Sequence, residues 1–236
     1  MSAQILDKIY KTAHVFGLSA VLCMFLWMRH DGKGFGLQAE HLEFSFHPLC
    51  MALAFGFLNG EALMSFRSLR AYPRYLVKLL HAVLHGAAVI IIVLGIKAVR
   101  DSEDYHLDKD GKLSPLPRSQ SLHAWLGSTI GVIYTLQWLG SLMLFYFPLT
   151  PGHIRATALP YHRIGGIFAF GFSAVTIAYG VLSRKAWGLD IFEQWIVNAF
   201  VVSIIGYILC VFFVVLNPSW STKIPLSKLT EQKKVR

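Results

Sequence analysis

Histidine is the residue type whose number and spacing in this chain point most clearly to chemistry. The 236 residues include ten histidines, and the candidates for chemistry are five that lie in long apolar stretches of the second to fifth spans: His47, His81, His85, His123 and His162. An ionisable side chain in such a stretch is costly to bury and usually faces a partner in the interior. A hydrogen bond to a backbone carbonyl explains any one of them equally well, so the chemical argument depends on how they are paired.

Six stretches have about the length and apolar character needed to cross the roughly 30 Å hydrocarbon core of a membrane. They run over residues 12–29, 42–66, 76–98, 122–147, 159–183 and 192–217. A single strand in lipid would leave its backbone N–H and C=O groups unpaired, so we expect helices. The sequence therefore predicts an all-α membrane protein with six transmembrane helices over 12–217, after an N-terminal segment 1–11 and before a basic tail 218–236.

The composition supports this class of protein and excludes others. Apolar residues make up 55% of the chain and charged residues 15%, and the mean hydropathy is +0.51; a soluble domain carries about a quarter charged residues. The net charge of +9 comes from short basic clusters between apolar stretches, which indicates charges that flank a membrane rather than a nucleic-acid surface. The three cysteines lie inside apolar stretches and carry no information on redox compartment.

The distribution of basic residues predicts the orientation. Six spans place both termini on one side, and that side holds thirteen Lys and Arg against nine on the other. Basic residues concentrate on the cytosolic side, so we expect cytosolic termini. Span one follows Lys8 and Lys11 and could be a secretory signal, but it lacks a small-residue cleavage pattern and its apolar run is too long, so we expect it to be retained.

The depths of four histidines sort them into two pairs. Each lies early in its span, and successive spans enter from opposite faces, so His47 and His123 share one half of the membrane while His81 and His162 share the other. A four-helix core of spans two to five can bring each pair face to face, as in the axial ligation of a low-spin haem iron. At about 1.5 Å of rise per residue the two layers lie about 20 Å apart, a distance suited to single-electron transfer.

Two alternatives stay open on spacing alone. His81 and His85 lie one helical turn apart on the same face, so either could be the ligand. Histidines at i and i+4 are also common in zinc sites, but no Cys, Asp or Glu converges at that depth, which favours haem.

Four segments, in order and on the expected spans, resemble the cytochrome b561 family. They are FHPLCMALAFGFLNGEALMSFR at 46–67, KLLHAVLH at 78–85, SLHAWLG at 121–127 and YHRIGG at 161–166. The resemblance extends over nearly the whole chain. It implies two b-type haems, one held by His47 and His123 and the other by His81 and His162, with His81 rather than His85 at the ligand position.

The resemblance also implies an enzyme, a transmembrane oxidoreductase of the ferrireductase type. Such a protein carries electrons from cytosolic ascorbate to monodehydroascorbate or a ferric chelate on the opposite side, in an endomembrane of the vacuolar type or in the plasma membrane, and a homodimer is the expected assembly. The family's ascorbate site draws on basic residues at the ends of spans three and five, where this chain has Arg74, Lys78 and Arg155. Clustered cations would bind the ascorbate monoanion and favour its loss of a proton on oxidation.

On the opposite face the family uses a histidine in the loop before span four, and His106 is the nearest candidate. The chain departs from the family pattern here, because the loop between His106 and His123 is longer and more acidic than in the family, with DKDGKLSPLPR inserted. An acidic loop repels anionic acceptors and attracts cationic ones. The segment at 62–67 also departs, since it reads ALMSFR where the family has an ALLVYR-like sequence and so lacks the tyrosine hydroxyl.

Some interpretations compete. Arg67 either contributes to the ascorbate site or is a cationic anchor at the membrane face. Glu61 is interpreted as a hydrogen-bonded carboxylate in preference to a proton relay. At the level of function, one rival is a haem-bearing anchor subunit that relays electrons in a larger complex without its own ascorbate site. Another is a transporter or channel for protons or metal ions, but the broken helices typical of transporters are not indicated by the sequence.

Overall fold

The computed structural model describes residues 3–31, 34–117, 121–147, 150–185 and 188–220. Within these ranges, six helical spans are long and apolar enough to cross a membrane: Gln4–Asp31, Leu42–Ser68, Arg74–Asp104, Leu122–Tyr146, Gly152–Arg184 and Ile191–Leu216. The predicted all-α architecture with six spans is confirmed. The basic tail lies outside the described residues from residue 221 onward.

The spans are built mainly of α-helix, with two π-helical interruptions. The α-helices are Ala3–Asp31, Glu40–Phe44, Phe46–Met51, Asn59–Ser68, Arg74–Asp104, Leu122–Ser141, Gly152–Lys185 and Ile191–Leu216. The π-helical stretches are Ala52–Leu58 inside span two and Leu142–Tyr146 at the end of span four, and a 3-10 turn over Pro218–Trp220 follows span six. The described residues contain one isolated β-bridge, between Leu107 and Leu113.

Neighbouring spans run antiparallel, which gives the molecule two distinct ends. Span two contacts span three near its start through His47 and Gly95, and near its end through Ala62 and His81. We call the end at which spans one, three and five begin the terminal face, and the end at which spans two, four and six begin the loop face.

Spans one and six pack against each other along their length and against span two. Trp27 of span one and Tyr207 and Val211 of span six are buried in this contact. An added Cβ at Gly17 would lie 2.5 Å from the Phe57 ring, so span one approaches span two this closely only because residue 17 has no side chain. The outer surface carries exposed large apolar side chains, as a lipid-facing surface requires.

Spans one and five begin earlier than the sequence predicts. Span one begins at Gln4 rather than at residue 12, so most of the predicted N-terminal segment 1–11 is helical. In span five the difference has a local reason. Its helix begins at Gly152 rather than at residue 159, and Pro160 lies inside it. Proline costs one backbone hydrogen bond, but its fixed φ is compatible with a helix, so the helix passes through it. Span three also extends beyond the apolar stretch, to Asp104, because a helix can continue into the polar interface with charged side chains.

Ion pairs brace the loop face. Arg184 of span five makes a bidentate contact with Asp31 of span one, at 2.5 and 2.6 Å from the two carboxylate oxygens. His30 donates to Asp190 at 2.8 Å, and Asp190 caps span six in a reciprocal box with Glu193. The hydrogen bond from His30 lowers the pKa of the Asp190 carboxyl. The hydrogen bond between His30 and Asp190 therefore stabilises the fold at neutral pH, and this stabilisation is lost as the pH falls through the lowered pKa of Asp190.

Arg67 closes the C-terminal end of span six. Its guanidinium donates to the backbone carbonyls of Val215 at 2.7 Å and Asn217 at 2.5 Å. The last carbonyls of a helix have no partner within the helix, so this contact satisfies groups that are otherwise left open. The geometry favours a structural role for Arg67 over a role in binding an anion.

We expect Arg67→Ala to lower the free energy of unfolding by about 2 kcal/mol, because charged hydrogen bonds to two helix-end carbonyls are lost. Denaturant unfolding in detergent micelles, followed by circular dichroism, measures the change. Arg70→Ala removes an exposed arginine three residues away and should leave stability close to that of the unmodified protein. Equal stability of the two variants would contradict the closing role of Arg67.

Candidate functional site

The loop-face pair is formed by His47 of span two and His123 of span four. Their ring centres are 6.1 Å apart and the rings are nearly perpendicular, at 88°. His47 Nδ1 donates to the Gly95 carbonyl of span three at 3.0 Å, and His123 Nδ1 donates to the Thr176 carbonyl of span five at 3.1 Å. Each imidazole is therefore oriented by a span that does not carry its partner.

The terminal-face pair repeats this arrangement with His81 of span three and His162 of span five. Their ring centres are also 6.1 Å apart, with an angle of 78° between the rings. His81 Nδ1 donates to the Ala62 carbonyl of span two at 2.8 Å, and His162 Nδ1 lies 2.9 Å from the Ser141 hydroxyl of span four. The two layers thus use the same four spans with the roles of the spans exchanged.

The separation within each pair fits one metal ion between two rings. A metal–imidazole bond is about 2 Å long and Nε2 lies about 1 Å from its ring centre, so imidazoles on opposite sides of a metal have centres about 6 Å apart. A carbonyl can only accept a hydrogen bond, so the Nδ1 atoms that contact carbonyls carry the hydrogen and leave Nε2 free to bind a metal. Both pairs have the donor set of a bis-imidazole haem.

The ligand sets do not match a metal bound by protein side chains alone. Among the described residues, no group of three or more His, Cys, Asp or Glu side chains is arranged to hold a metal ion. Zinc in proteins almost always has at least three side-chain ligands. Two facing imidazoles instead leave the remaining positions to a planar ring system, which a porphyrin provides.

The two layers are separated by about half the length of a span. His47 and Ala62, which contacts His81, are fifteen residues apart on span two, which is at most about 22 Å, because the π-helical stretch between them rises less per residue than the 1.5 Å of an α-helix. His81 and Gly95, which contacts His47, are fourteen residues apart on span three, or about 21 Å. The estimates along span two and along span three agree with the separation of about 20 Å that the sequence predicts for the two layers.

His85, the other candidate on span three, has a different environment. Its Nδ1 lies 2.6 Å from the Tyr134 hydroxyl of span four, and its ring lies 4.5 Å from that of His81. Tyr134 is buried and packs edge-on against Phe55 of span two. The geometry favours His81 as the partner of His162 and places His85 toward the middle of the membrane, beside Tyr134.

Comparison with known proteins agrees with this arrangement. A family model described as eukaryotic cytochrome b561 matches residues 46–188, which include all four paired histidines. The chain belongs to the eukaryotic cytochrome b561 family. Because these are b-type cytochromes, membership implies that the protein binds haem b.

Several curated members of the family are similar over most of their length. A Caenorhabditis elegans homolog of the transmembrane ascorbate-dependent reductase CYB561 is 32% identical over 93% of this chain and 86% of its own. The transmembrane ascorbate ferrireductase 1 of Arabidopsis thaliana is 29% identical over 88% of this chain and 85% of its own. The plasma membrane ascorbate-dependent reductase CYBRD1 of Xenopus laevis is 28% identical over 89% and 77%.

The three basic residues that the cytochrome b561 resemblance assigns to ascorbate all lie on the terminal face. Lys78 donates to the Phe145 carbonyl and lies 5.0 Å from the centre of the Tyr146 ring. Phe145 in turn packs against His162, with ring centres 5.2 Å apart. Phe145 therefore lies between Lys78 and the terminal-face pair and contacts both. Arg74 precedes Lys78 by one helical turn and is exposed.

Arg155 lies near the start of span five, about two turns before His162, and is half-buried. The early start of this helix, ahead of Pro160, places Arg155 on the same rigid element as the histidine. The sequence prediction treated this stretch as a loop, so it missed this rigid connection. The continuous helix could have been predicted, because residues 153–159 contain none of the residue types that usually form turns.

His106 lies in the loop after span three, on the loop face. Its Nδ1 is 2.9 Å from Glu40, in the short helix that leads into span two. The first five residues of the inserted stretch form a turn, in which Asp108 accepts hydrogen bonds from the Asp110 and Lys112 amides, each at 2.9 Å. The structure thus places His106 at the same end as the His47–His123 pair, next to a carboxylate rather than a cation.

One glycine beside the loop-face pair was not identified from the sequence. A Cβ built on Gly180 would lie 2.7 Å from His123 Cε1, so the span-five backbone contacts this imidazole directly. Glycines are frequent in transmembrane helices, and spacing along one chain does not show which of them faces a ligand.

Proposed function

We propose that this protein transfers single electrons across a membrane from ascorbate to an acceptor on the other side, through two haems b. One would be held by His47 and His123 and the other by His81 and His162. The observation that carries the proposal is the pair of facing imidazoles, 6.1 Å apart, present near both ends of one helical core. When bound, each haem supplies reversible one-electron chemistry, and two imidazole ligands leave no open iron position for oxygen.

The protein's own contribution is to fix the ligands and to exclude water. The carbonyls of Ala62, Gly95 and Thr176 hold the imidazoles in orientation through Nδ1, which would leave Nε2 free to bind the haem iron. Between the layers, buried apolar side chains such as Ile92 and Ile130 fill the core. A dry, low-dielectric interior limits access to the redox sites to the two faces of the membrane.

We propose that the terminal face is cytosolic and receives ascorbate. The excess of basic residues on this side supports the orientation, and the names of relatives support ascorbate as the donor. Arg74, Lys78 and Arg155 would bind the ascorbate monoanion. As the anion gives up one electron and one proton to become monodehydroascorbate, the same cations favour the loss of the proton.

On the loop face, His106 and its surroundings would meet the acceptor, either monodehydroascorbate or a ferric chelate. The relative named as a ferrireductase supports the second class. Glu40 places a carboxylate beside His106, and this side of the chain carries ten acidic and nine basic residues. It therefore lacks the basic excess of the terminal face and favours acceptors of low negative charge or with an exposed cationic centre.

We expect Arg155→Ala and Lys78→Ala each to raise the KM for ascorbate about tenfold, because each removes a charge-assisted contact with the anion. The rate of haem reduction, measured at increasing ascorbate concentrations, gives the KM. Lys109→Ala removes an exposed cation on the loop face and should leave the KM unchanged. If all three variants have the same KM, the site is elsewhere.

The proposal is tested by transmembrane reduction in sealed proteoliposomes that contain ascorbate and are surrounded by a ferric chelate. We expect external Fe(II) to form at a rate that depends on internal ascorbate and on the protein. A haem-loaded protein that ascorbate does not reduce would contradict the proposal and favour an anchor subunit that receives electrons from a partner.

A further inference from the structure

A buried group of titratable side chains lies beside the terminal-face pair and is not used by the electron path. Glu61 of span two, with its side chain only 9% exposed, accepts hydrogen bonds from Tyr10 of span one at 3.3 Å and Tyr207 of span six at 3.0 Å. His14 Nε2 of span one lies 3.1 Å from Glu61 Oε2. We call these four residues the Glu61 cluster.

The contact between His14 and Glu61 requires a proton. His14 Nδ1 lies 2.8 Å from the Tyr10 backbone carbonyl, which can only accept, so Nδ1 carries a hydrogen. In a neutral imidazole Nε2 then has only a lone pair, and it faces a carboxylate oxygen that also has only lone pairs. A proton must therefore lie between Nε2 and Oε2, either as an imidazolium–carboxylate pair or as an imidazole–carboxylic acid pair.

The contact between Tyr207 and Glu61 can hold a second proton. The Tyr207 hydroxyl lies 2.8 Å from the Phe57 carbonyl and 3.0 Å from Glu61 Oε1, but it has one hydrogen for these two acceptors. If Oε1 is protonated, it donates to the Tyr207 oxygen, and the Tyr207 hydrogen goes to Phe57. Every close pair in the cluster then contains a hydrogen. Phe57 lies in the π-helical stretch of span two, a type of irregularity that often marks functional sites.

The cluster is directly connected to the terminal-face pair through the backbone. Ala62, the residue after Glu61, provides the carbonyl that orients His81. The titratable groups in contact with Glu61 come from spans one and six. Spans three and five also pack here, and within the described ranges neither brings a titratable side chain into contact with Glu61.

A cavity of about 240 Å³ connects Tyr10 with the terminal face. Its lining includes Asp7, Tyr10, Ser68 and Arg70. Asp7 and Arg70 are exposed to solvent, whereas the Ser68 hydroxyl is buried and has no hydrogen-bond partner. A cavity of this size, with polar side chains and an unpaired hydroxyl on its wall, has room and partners for water. Tyr10 is the residue of the cluster on its lining, so a proton from the terminal-face aqueous phase would enter the cluster through the Tyr10 hydroxyl.

We propose that the Glu61 cluster is a proton-binding site that takes up one proton when an electron is added at the site held by His81 and His162. This inference rests on the proposed function, in which ascorbate supplies the electron. The proton comes from water in the cavity by way of the Tyr10 hydroxyl, which takes up a proton as it gives its own to Glu61. With the first proton on His14 as an imidazolium, the Glu61 carboxylate becomes a carboxylic acid that donates from Oε1 to the Tyr207 oxygen. Loss of the electron to the loop-face site releases the proton by the same route. The added proton offsets the negative charge that the electron brings into a low-dielectric interior, and the two binding events strengthen each other.

The experiment is a spectroelectrochemical titration of the purified, haem-loaded full-length protein at a series of pH values. In the unmodified protein we expect the midpoint potential of the terminal-face haem to fall as the pH rises. In Glu61→Gln, which keeps the shape but cannot titrate, we expect this dependence to be lost. Redox difference infrared spectroscopy should show a carboxylic acid band that forms on reduction and is absent in Glu61→Gln.

Glu193→Gln is the matched control, because Glu193 is a buried carboxylate at the loop face; it should keep the pH dependence of the unmodified protein. Tyr207→Phe removes the acceptor for the new proton and should weaken the dependence, which provides a test if Glu61→Gln does not fold. A haem-loaded protein, reducible by ascorbate, in which Glu61→Gln or Tyr207→Phe keeps the full pH dependence would overturn this inference alone. A protein without haem bands would overturn the proposed function and this inference together.

Discussion

Alanine at His47 or at His123 is expected to remove the same haem, and alanine at His81 or at His162 the other. Each variant should retain about half of the haem of the unmodified protein, because loss of one of two axial imidazoles leaves the other unable to hold the metal in a closed bis-imidazole site. The pairing follows from the 6.1 Å separations and from the separate spans that orient each ring. Haem content per chain, with the spectrum and potential of the haem that remains, identifies which site is lost.

Two control variants sharpen this result. His85→Ala should retain both haems, because His85 contacts Tyr134 rather than facing His162. His153→Ala removes an exposed histidine near the start of span five and should have no effect on haem content. If His85→Ala loses the terminal-face haem while His81→Ala keeps it, the ligand on span three is His85 and the assignment made here is wrong.

The substitution Gly180→Ala, which adds one methyl group, is expected to remove most of the loop-face haem. In Gly180→Ala the new Cβ would lie 2.7 Å from His123 Cε1 and 3.1 Å from its Nδ1. The imidazole would have to move, which breaks its hydrogen bond to Thr176 and displaces Nε2 from the metal. We expect loss of most of the loop-face haem with the terminal-face haem intact, measured by haem content and by the redox titration.

Gly140→Ala is the matched control for this substitution. Gly140 lies on span four, and a Cβ added there meets nothing within 4 Å. It should therefore leave both haems in place. Full loop-face haem in Gly180→Ala would show that the His123 imidazole has another position from which it can bind, and so would contradict the geometry described for this pair.

The number of spans and the depth of the paired histidines could be predicted from the sequence because both depend on local properties. A span is recognised by its apolar length, and the depth of a histidine by its distance from the end of the span. His47 and Ala62 lie in the two layers on span two, and each contacts the neighbouring span at the depth expected for its layer. The four motifs that resemble the family point to the same positions.

The irregular parts of the spans could not be predicted in this way. The π-helical stretch Ala52–Leu58 is stabilised by contacts from another span, including the Tyr207 hydroxyl on the Phe57 carbonyl. Such a contact joins residues 150 positions apart, and apolar periodicity carries no information on it. The early start of span five at Gly152 was also missed, because the helical turns before residue 159 contain polar residues such as His153 and Arg155, and apolar length does not show that a helix continues through them.

The Glu61 cluster likewise depends on contacts between residues far apart in the chain, which the sequence does not show. A hydrogen-bonded carboxylate was expected at Glu61, and the structure agrees. Its partners lie on spans one and six, outside the predicted four-helix core. His14 is also a histidine inside an apolar stretch, but spacing along the chain did not show which residue it faces. The proton-binding site is recognised only in the structure, where the side chains of Tyr10, His14 and Tyr207 all contact the Glu61 carboxylate.

The central claim is that two imidazole pairs hold two haems b that ascorbate reduces. The most direct test is the absorption spectrum of the purified protein, with its haem content per chain, recorded before and after addition of ascorbate. We predict two haems b per chain, with reduced bands that form on addition of ascorbate and without any partner protein. A colourless preparation, or a single haem per chain that persists when either member of one histidine pair is removed, would contradict it.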